Sequence, residues 1–177
     1  MIELERINDE VFIALDRIVR FGGDEVAFVK EQARKSPRKR ARICAHKSND
    51  DSLHEMLIAI AADSYVRPHR HVGKSESFHI VEGEVDIAIF DELGEITDVV
   101  EMGSTMSGRQ FFYRLSESAF HTLLIRSELL VIHEVTSGPF VAGATVLAPF
   151  APPENEAQLG RRYLEQVSER ASRYRHR

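Results

Sequence analysis

Between Ile43 and Val135 the apolar residues come in runs too short for helices, with turn-forming residues between them. Met56 to Ala61 is one run, Phe78 to Val81 leads to Gly83, and Val85 to Phe90 alternates before an Asp91-Glu92-Leu93-Gly94 turn. Phe111 to Leu115, His121 to Ile125 and Leu129 to Val135 continue the texture. Strand side chains point alternately to two faces, so such runs suit half-buried strands. Several short strands in close succession predict an all-β sandwich or barrel.

The flanks read differently. Asn8 to Val19 fits strand alternation early and helix later, and periodicity leaves both readings open. After Gly22-Gly23, Asp24 is placed to cap a helix carrying Val26, Phe28, Val29 and Ala33. Ser36-Pro37 ends it, because the residue before proline avoids the α region. The Pro-rich tract Ala148 to Pro153 closes the β region. Glu154 to Arg177 then sets Leu159, Tyr163, Leu164 and Val167 at helical spacing, a charged surface helix with a fraying end. The chain divides into a helical or mixed extension (1–36), a β-barrel (37–153) and a charged helix or tail (154–177).

The 177 residues suit one domain with a sizeable core. A single cysteine, Cys44, excludes an internal disulfide framework and any multi-Cys zinc site, and fits a reducing compartment. Cys44 itself reads as a small buried residue. No stretch approaches about 18 consecutive apolar residues, so no transmembrane helix is expected. Met1 to Glu5 carries two acids and no apolar h-region, so no secretory signal is expected. The formal charge of -5 argues against general nucleic-acid binding. A cytoplasmic protein with neither membrane nor nucleic acid as partner is the expectation.

Eight histidines carry the chemical signal. His69 and His71 sit two apart beside a strand-like run, so alternation puts both imidazoles on one face. Glu76 follows after a gap that suits a short loop returning the chain to the same place, and Gly83 ends the next strand at a tight turn. His121 opens another apolar strand far downstream. Three imidazoles and a carboxylate make an N3O set for one divalent transition metal ion per subunit, with positions left open. Iron, manganese, nickel, zinc, cobalt and copper all suit it. His54 and His176 have no such neighbours and read as surface or hydrogen-bonded core residues.

The pattern His69-x-His71-x4-Glu76-x6-Gly83 resembles the first motif of the cupin superfamily, and His121 stands where its second motif supplies the last ligand. The resemblance implies a cupin double-stranded β-helix, a jelly-roll-like barrel with the metal inside. Asp63, Ser116-Glu117-Ser118 and Ile125 replace the glycine, the Pro-x-Gly and the asparagine of those motifs, departures that touch turns and not ligands. Ser36 to Arg40, Tyr65 to His71, Glu76 to His79, Phe112-Tyr113-Arg114, Phe120-His121-Thr122, Ser137 to Phe140 and Ala148 to Pro152 are similar to WbuC-type cupin metalloproteins. That group is associated with bacterial surface-polysaccharide biosynthesis, and cupins are commonly oligomeric, which implies a homodimer.

Around the histidines, Tyr65 and Arg67 share the parity of His69 and His71. Arg67 is a candidate for holding a carboxylate or phosphate, against the alternative of a surface residue, and Arg114 is a second candidate. Phe78 and Ile80 share the parity of Glu76 and form an apolar wall, while His79 faces away. The run Arg34 to Arg42 holds six basic residues in nine. A nucleic-acid patch is one reading of it and a solvated face, which suits Lys39 and Arg40, the commoner one; the resemblance allows Arg38, Arg42 and His46 at a pocket entrance. Tyr65, His46 and Tyr113 are the candidate proton carriers, and Arg67, Arg114, Arg42 and His46 the candidate ligand-binding groups.

Several functions remain open on this reading. One is a metal-dependent enzyme whose ion acts as Lewis acid on a small anionic or polyhydroxylated molecule (a sugar, nucleotide sugar or carboxylate) in isomerase or epimerase chemistry. An iron-loaded site fits dioxygenase chemistry equally well. The alternative is a non-catalytic ligand-binding or sensor module organised by the metal.

Overall fold

The computed structural model describes residues 1–175; His176 and Arg177 lie outside the described residues. In chain order the elements are β1 (Leu4–Arg6), β2 (Val11–Ala14), α1 (Gly23–Lys35), β3 (Arg40–Cys44), β4 (Leu53–Ala61), β5 (His69–His71) and β6 (Glu76–Glu82). Then come β7 (Glu84–Phe90), β8 (Ile96–Gly103), β9 (Phe112–Leu115), β10 (Phe120–Ile125), β11 (Leu129–Ser137), β12 (Thr145–Leu147) and α2 (Ala157–Tyr174). No helix among the described residues is long and apolar enough to cross a membrane.

The strands form two facing sheets, one in the order β1-β2-β3-β4-β11-β6-β9 and the other in the order β12-β5-β10-β7-β8. Counted from β4 to β11 alone, the eight central strands run 1-8-3-6 in one sheet and 2-7-4-5 in the other. That interleaving is the two-Greek-key jelly roll. Inward residues of both sheets make one core, with Ile60, Ile80, Leu130 and Ile132 facing Val85, Ile87, Met102 and Leu123. The β6–β7 connection turns at Gly83, where φ is +89° and a Cβ would lie 2.5 Å from the Leu129 carbonyl oxygen. Only glycine fits there without strain.

The first 36 residues continue the larger sheet. β2 pairs in parallel with β3 through Val11 and Arg42, so the early half of Asn8 to Val19 is strand, and no helix forms in the later half. α1 starts one residue before Asp24. Gly22 is its N-cap, and the Gly22 amide donates to the Glu25 carboxylate at 2.9 Å. It ends at Ser36, whose extended backbone (φ -68°, ψ 149°) is what Pro37 demands. Val29 and Ala33 pack on Ile43, Leu57, Ala59 and Val131, on the outer face of the sheet. β4 and β11 are therefore covered on both faces, and this explains why Met56 to Ala61 is apolar without alternating.

The C-terminal helix is not a loose surface element. Val167 and Ala171 are fully buried against Ala88, Phe90, Phe120 and Leu124 on the outer face of the smaller sheet, while Leu159 is about half exposed. Gly160 sits against the ring of Tyr65, where a Cβ would come within 2.2 Å of Cδ1. The Tyr65 hydroxyl donates to the Pro152 carbonyl at 2.8 Å. Gly160→Val should therefore lower unfolding free energy by about 1–3 kcal/mol, the cost of overpacking. Tyr65→Phe should lower it by about 1 kcal/mol, one hydrogen bond. Urea denaturation measures both, and a Gly160→Val protein as stable as the parent would mean that α2 is seated elsewhere.

Candidate metal centre

β5 and β10 are antiparallel neighbours, with His121 directly opposite His69. Alternation puts His71 on the same face, so three imidazoles from two strands meet inside one end of the barrel. Ring centroids of His69 and His121 are 4.7 Å apart, and those of His69 and His71 are 5.0 Å apart. One ring nitrogen from each histidine lies within 4.8 Å of the others, a cluster able to hold a metal ion. Glu76 reaches in from β6 of the facing sheet. Its Oε1 is 2.8 Å from His121 Nε2 and its Oε2 is 3.4 Å from His71 Nε2.

Backbone geometry sets the tautomers. His69 Nδ1 is 2.9 Å from the Arg67 carbonyl oxygen, and His121 Nδ1 is 3.1 Å from that of Ala119. A carbonyl only accepts, so in each ring Nδ1 carries the proton and, in the neutral form, Nε2 presents its lone pair. His71 Nδ1 is held by the Thr145 hydroxyl at 3.0 Å. Despite their 2.8 Å separation, His121 Nε2 and Glu76 Oε1 miss hydrogen-bond alignment, and both are buried without a partner. Orphaned buried polar atoms are costly unless something binds them, and three imidazoles beside a carboxylate are a ligand set that fits a transition-metal ion.

The protonation states follow from burial and from these contacts. Burial pushes His69 down to about 4, with the neighbouring His121 adding to the effect. Burial also opposes charge on Glu76, but His121 and His71 outweigh it and hold the carboxyl well below the usual carboxylate range. Burial opposes charge on His121 as well, and Glu76 more than offsets it, so His121 is raised above the ordinary histidine value.

The cluster opens on a cavity of about 400 Å³ lined by His69, His71, Glu76, Arg42, Arg67 and Glu134 among others. Arg67 gives one guanidinium nitrogen to the Ala148 carbonyl at 2.7 Å and keeps a buried Nε without a partner. At the mouth, Arg38 bonds Glu10 and lies 3.3 Å from Glu154, while Arg40 lies 2.9 Å from Glu154. Arg40 thus belongs to the cavity wall, not to a solvated face; Lys39 turns back to the Arg34 carbonyl. Phe78 lines the cavity as expected, whereas Ile80 packs deeper in the barrel core, and His79 faces outward. Cys44 is buried, and burial raises its thiol.

Other expected positions move away. Tyr65 precedes β5 in a stretch without strand pairing, so parity does not govern it, and it points at α2. Tyr113 packs in the core beside Phe78, its hydroxyl buried without a partner and raised first by burial, then by Glu76. Arg114 alternates with the inward Tyr113 and Leu115, so it faces outward and bonds the hydroxyls of Ser116 and Ser75. His46 lines a neighbouring cavity, stacked on His54 at 4.2 Å. None of the three candidate proton carriers lines the main cavity. Glu134 does, and sequence reasoning passed over it. Its signal was an acid on the inward parity of β11, after Leu130 and Ile132. Burial, then the charge of Glu76, raise Glu134 to about 7.

The family described as Domain of unknown function (DUF6016) matches residues 23–102, a span that contains His69, His71 and Glu76 and ends before His121. No curated protein sequence matches the chain. Among solved structures, protein SO0799 from Shewanella oneidensis is similar at 12% identity, over 59% of this chain and 70% of that one, with a TM-score of 0.49. The cupin domain of Cnp3 from Schizosaccharomyces pombe is similar at 9% identity, over 56% and 64%, with a TM-score of 0.44. Oxalate decarboxylase from Bacillus subtilis is similar at 16% identity, over 55% of this chain but only 24% of its own length, with a TM-score of 0.44. The fold is cupin-like, and the order of the eight central strands is what says so.

His69→Ala and His121→Ala should each lose most bound metal while keeping a folded barrel; elemental analysis with full occupancy in both would reject the cluster as a metal site. Affinity should also depend on pH. Below its raised value His121 holds a proton that the ion must displace, so uptake weakens about tenfold per pH unit on acidification and levels off above that value. A pH-independent dissociation constant between pH 5 and pH 8, an interval chosen to bracket the usual histidine range of about 6.5, would contradict it.

Proposed function

We propose that the chain is a metal-dependent enzyme in which His69, His71, Glu76 and His121 hold one divalent transition-metal ion and the cavity takes a small, oxygen-rich polar molecule. When bound, the ion supplies Lewis acidity to an oxygen of that molecule. Arg42 and Arg67 offer guanidinium groups for a carboxylate, phosphate or vicinal hydroxyls. Glu134 is the proton carrier. Its carboxyl opens on the same cavity as the histidines and accepts no hydrogen bond among the described residues. That shared cavity is the observation that carries the reading. Removing a proton beside a carbonyl and returning it to a neighbouring atom on the same face is isomerase chemistry that a single carboxyl can carry; epimerase chemistry would need a second proton donor, such as water, on the opposite face. The resemblance to WbuC-type cupins would place such a substrate among surface-polysaccharide sugars. The working unit is proposed to be a homodimer that covers the exposed Phe111 and Phe112 beside and on edge strand β9.

Metal-loaded protein incubated with nucleotide sugars and sugar phosphates in deuterated water tests this by NMR. Deuterium should enter a carbon-bound position of at least one substrate, and Glu134→Gln should slow it by about 10²–10⁴-fold with metal content unchanged. Ligand binding without exchange in any loaded form would make the protein a binding module instead. Exchange at the parent rate in Glu134→Gln would remove Glu134 from the chemistry.

A further inference from the structure

Next to the metal-centre cavity lies a second one of about 450 Å³, and the two share Val11, Arg42, His71 and Thr145 in their walls. Their charges differ. The first is lined by four arginines and four glutamates, whereas the second is lined by Arg42, Lys47 and Lys74 and by no aspartate or glutamate. In a chain of net charge -5 an acid-free basic cavity is a local exception.

Among the described residues none of these cations lies within ion-pair distance of a carboxylate, and the acid that Arg42 does feel, Glu134, stands on the wall of the first cavity. Lys47 Nζ donates to the backbone carbonyls of Ala14 and Asp16, and Lys74 Nζ donates to that of Pro139 at 2.8 Å. Arg42 makes no ion pair among the described residues. Asp51 stands close by, but its carboxylate accepts the Lys47 amide at 2.8 Å. Two histidines complete the wall. His46 Nδ1 is held by the Glu55 carbonyl, and its ring lies flat on His54, whose buried Nε2 has no partner.

We propose that this second cavity is a phosphoryl-binding subsite: the substrate is a phosphate- or diphosphate-bearing molecule whose polar head reaches the histidine cluster while its phosphoryl group sits among Arg42, Lys47 and Lys74. The proposal rests on the metal-centre reading only for the position of the head. Three cations without an acid suit a multiply charged anion better than a single carboxylate, because charges in a recess are poorly screened by water and salt. Arg42 stands at the junction, where one planar guanidinium can hold two phosphoryl oxygens at once. The shared wall at His71 and Thr145 sets the join between head and phosphoryl group directly beside the metal centre.

Inorganic pyrophosphate is the probe, titrated calorimetrically into metal-stripped full-length protein so that no ion can bind it. Saturable binding should appear and should weaken by about tenfold in Arg42→Met and in Lys74→Met, the loss of one charge-assisted contact each. Thermal unfolding of both variants checks that they are folded, and Arg42, exposed and unpaired, is the safer of the two. Absence of saturable binding, equal affinity in both folded variants, or tighter binding of succinate than of pyrophosphate would overturn the subsite. Because the titration is read without metal, retention of metal by His69→Ala and His121→Ala would remove the metal reading and leave this result standing.

Discussion

The structure depends on the antiparallel pairing of β4 with β11, which runs without interruption from Leu53–Ser137 to Ala61–Leu129. Both strands are buried on two faces over half their length, one face toward the barrel and the other under α1. A one-residue slip would exchange the two faces of every side chain, so the register is tightly specified. The inward parity of that ladder then changes character along its length. On β11 it reads Leu130, Ile132, Glu134, Thr136, and on β6, paired alongside, it reads Ile80, Phe78, Glu76. One end of the barrel is therefore apolar and the other polar. The polar end is where β5 and β10 deliver three histidines. Register fixed by the apolar end places the acids opposite the imidazoles at the other.

Much of this could be read from the residues. Strands that expose one face announced themselves by alternation, as in Val85 to Phe90, and His69 with His71 declared a shared face by spacing alone. Strands lacking an apolar stripe did not. β8 carries Thr97, Asp98 and Glu101, and the adjacent Thr97 and Asp98 are both exposed, so no periodic signal survives there. β1, three residues long, is too short to show a period, and β2 alternates over so few residues that a helix remained an equal reading of its segment. Parity failed where pairing ends: Tyr65 lies before β5, and nothing local decides that its ring meets Gly160 almost a hundred residues later. Glu134 was visible only to a reader who counted an acid on a core parity.

What spacing could not reveal is how the imidazoles are held. On two separate strands, His69 and His121 each direct Nδ1 at the carbonyl two residues upstream, Arg67 and Ala119. The same local contact, from ring to backbone, serves both. It needs no side chain of a particular type, so it leaves no motif, yet it decides which nitrogen faces the centre of the site. The departures of Ser116-Glu117-Ser118 and Ile125 from the cupin motifs fall just before and just after the Ala119–His121 contact, and the histidine orientation survives them.

The strand that carries His121 is secured from behind. β10 lies between β5 and β7, and its outward residues Phe120 and Leu124 are covered by the buried face of α2. At the far end of that helix Asp86, fully buried on β7, lies 2.8 Å from the Arg126 guanidinium, 3.3 Å from that of Arg175 and 3.4 Å from that of Arg109. A lone buried carboxylate would be strongly unfavourable, and three guanidiniums from three different segments satisfy it. An apolar residue in that place would pack as well but would not select one position for the helix end. The ion cluster therefore ties the helix end in one registry on β7. Through α2 and Phe120 that registry extends to His121, so the helix that seals the outer face also limits how far the site's most buried imidazole can shift.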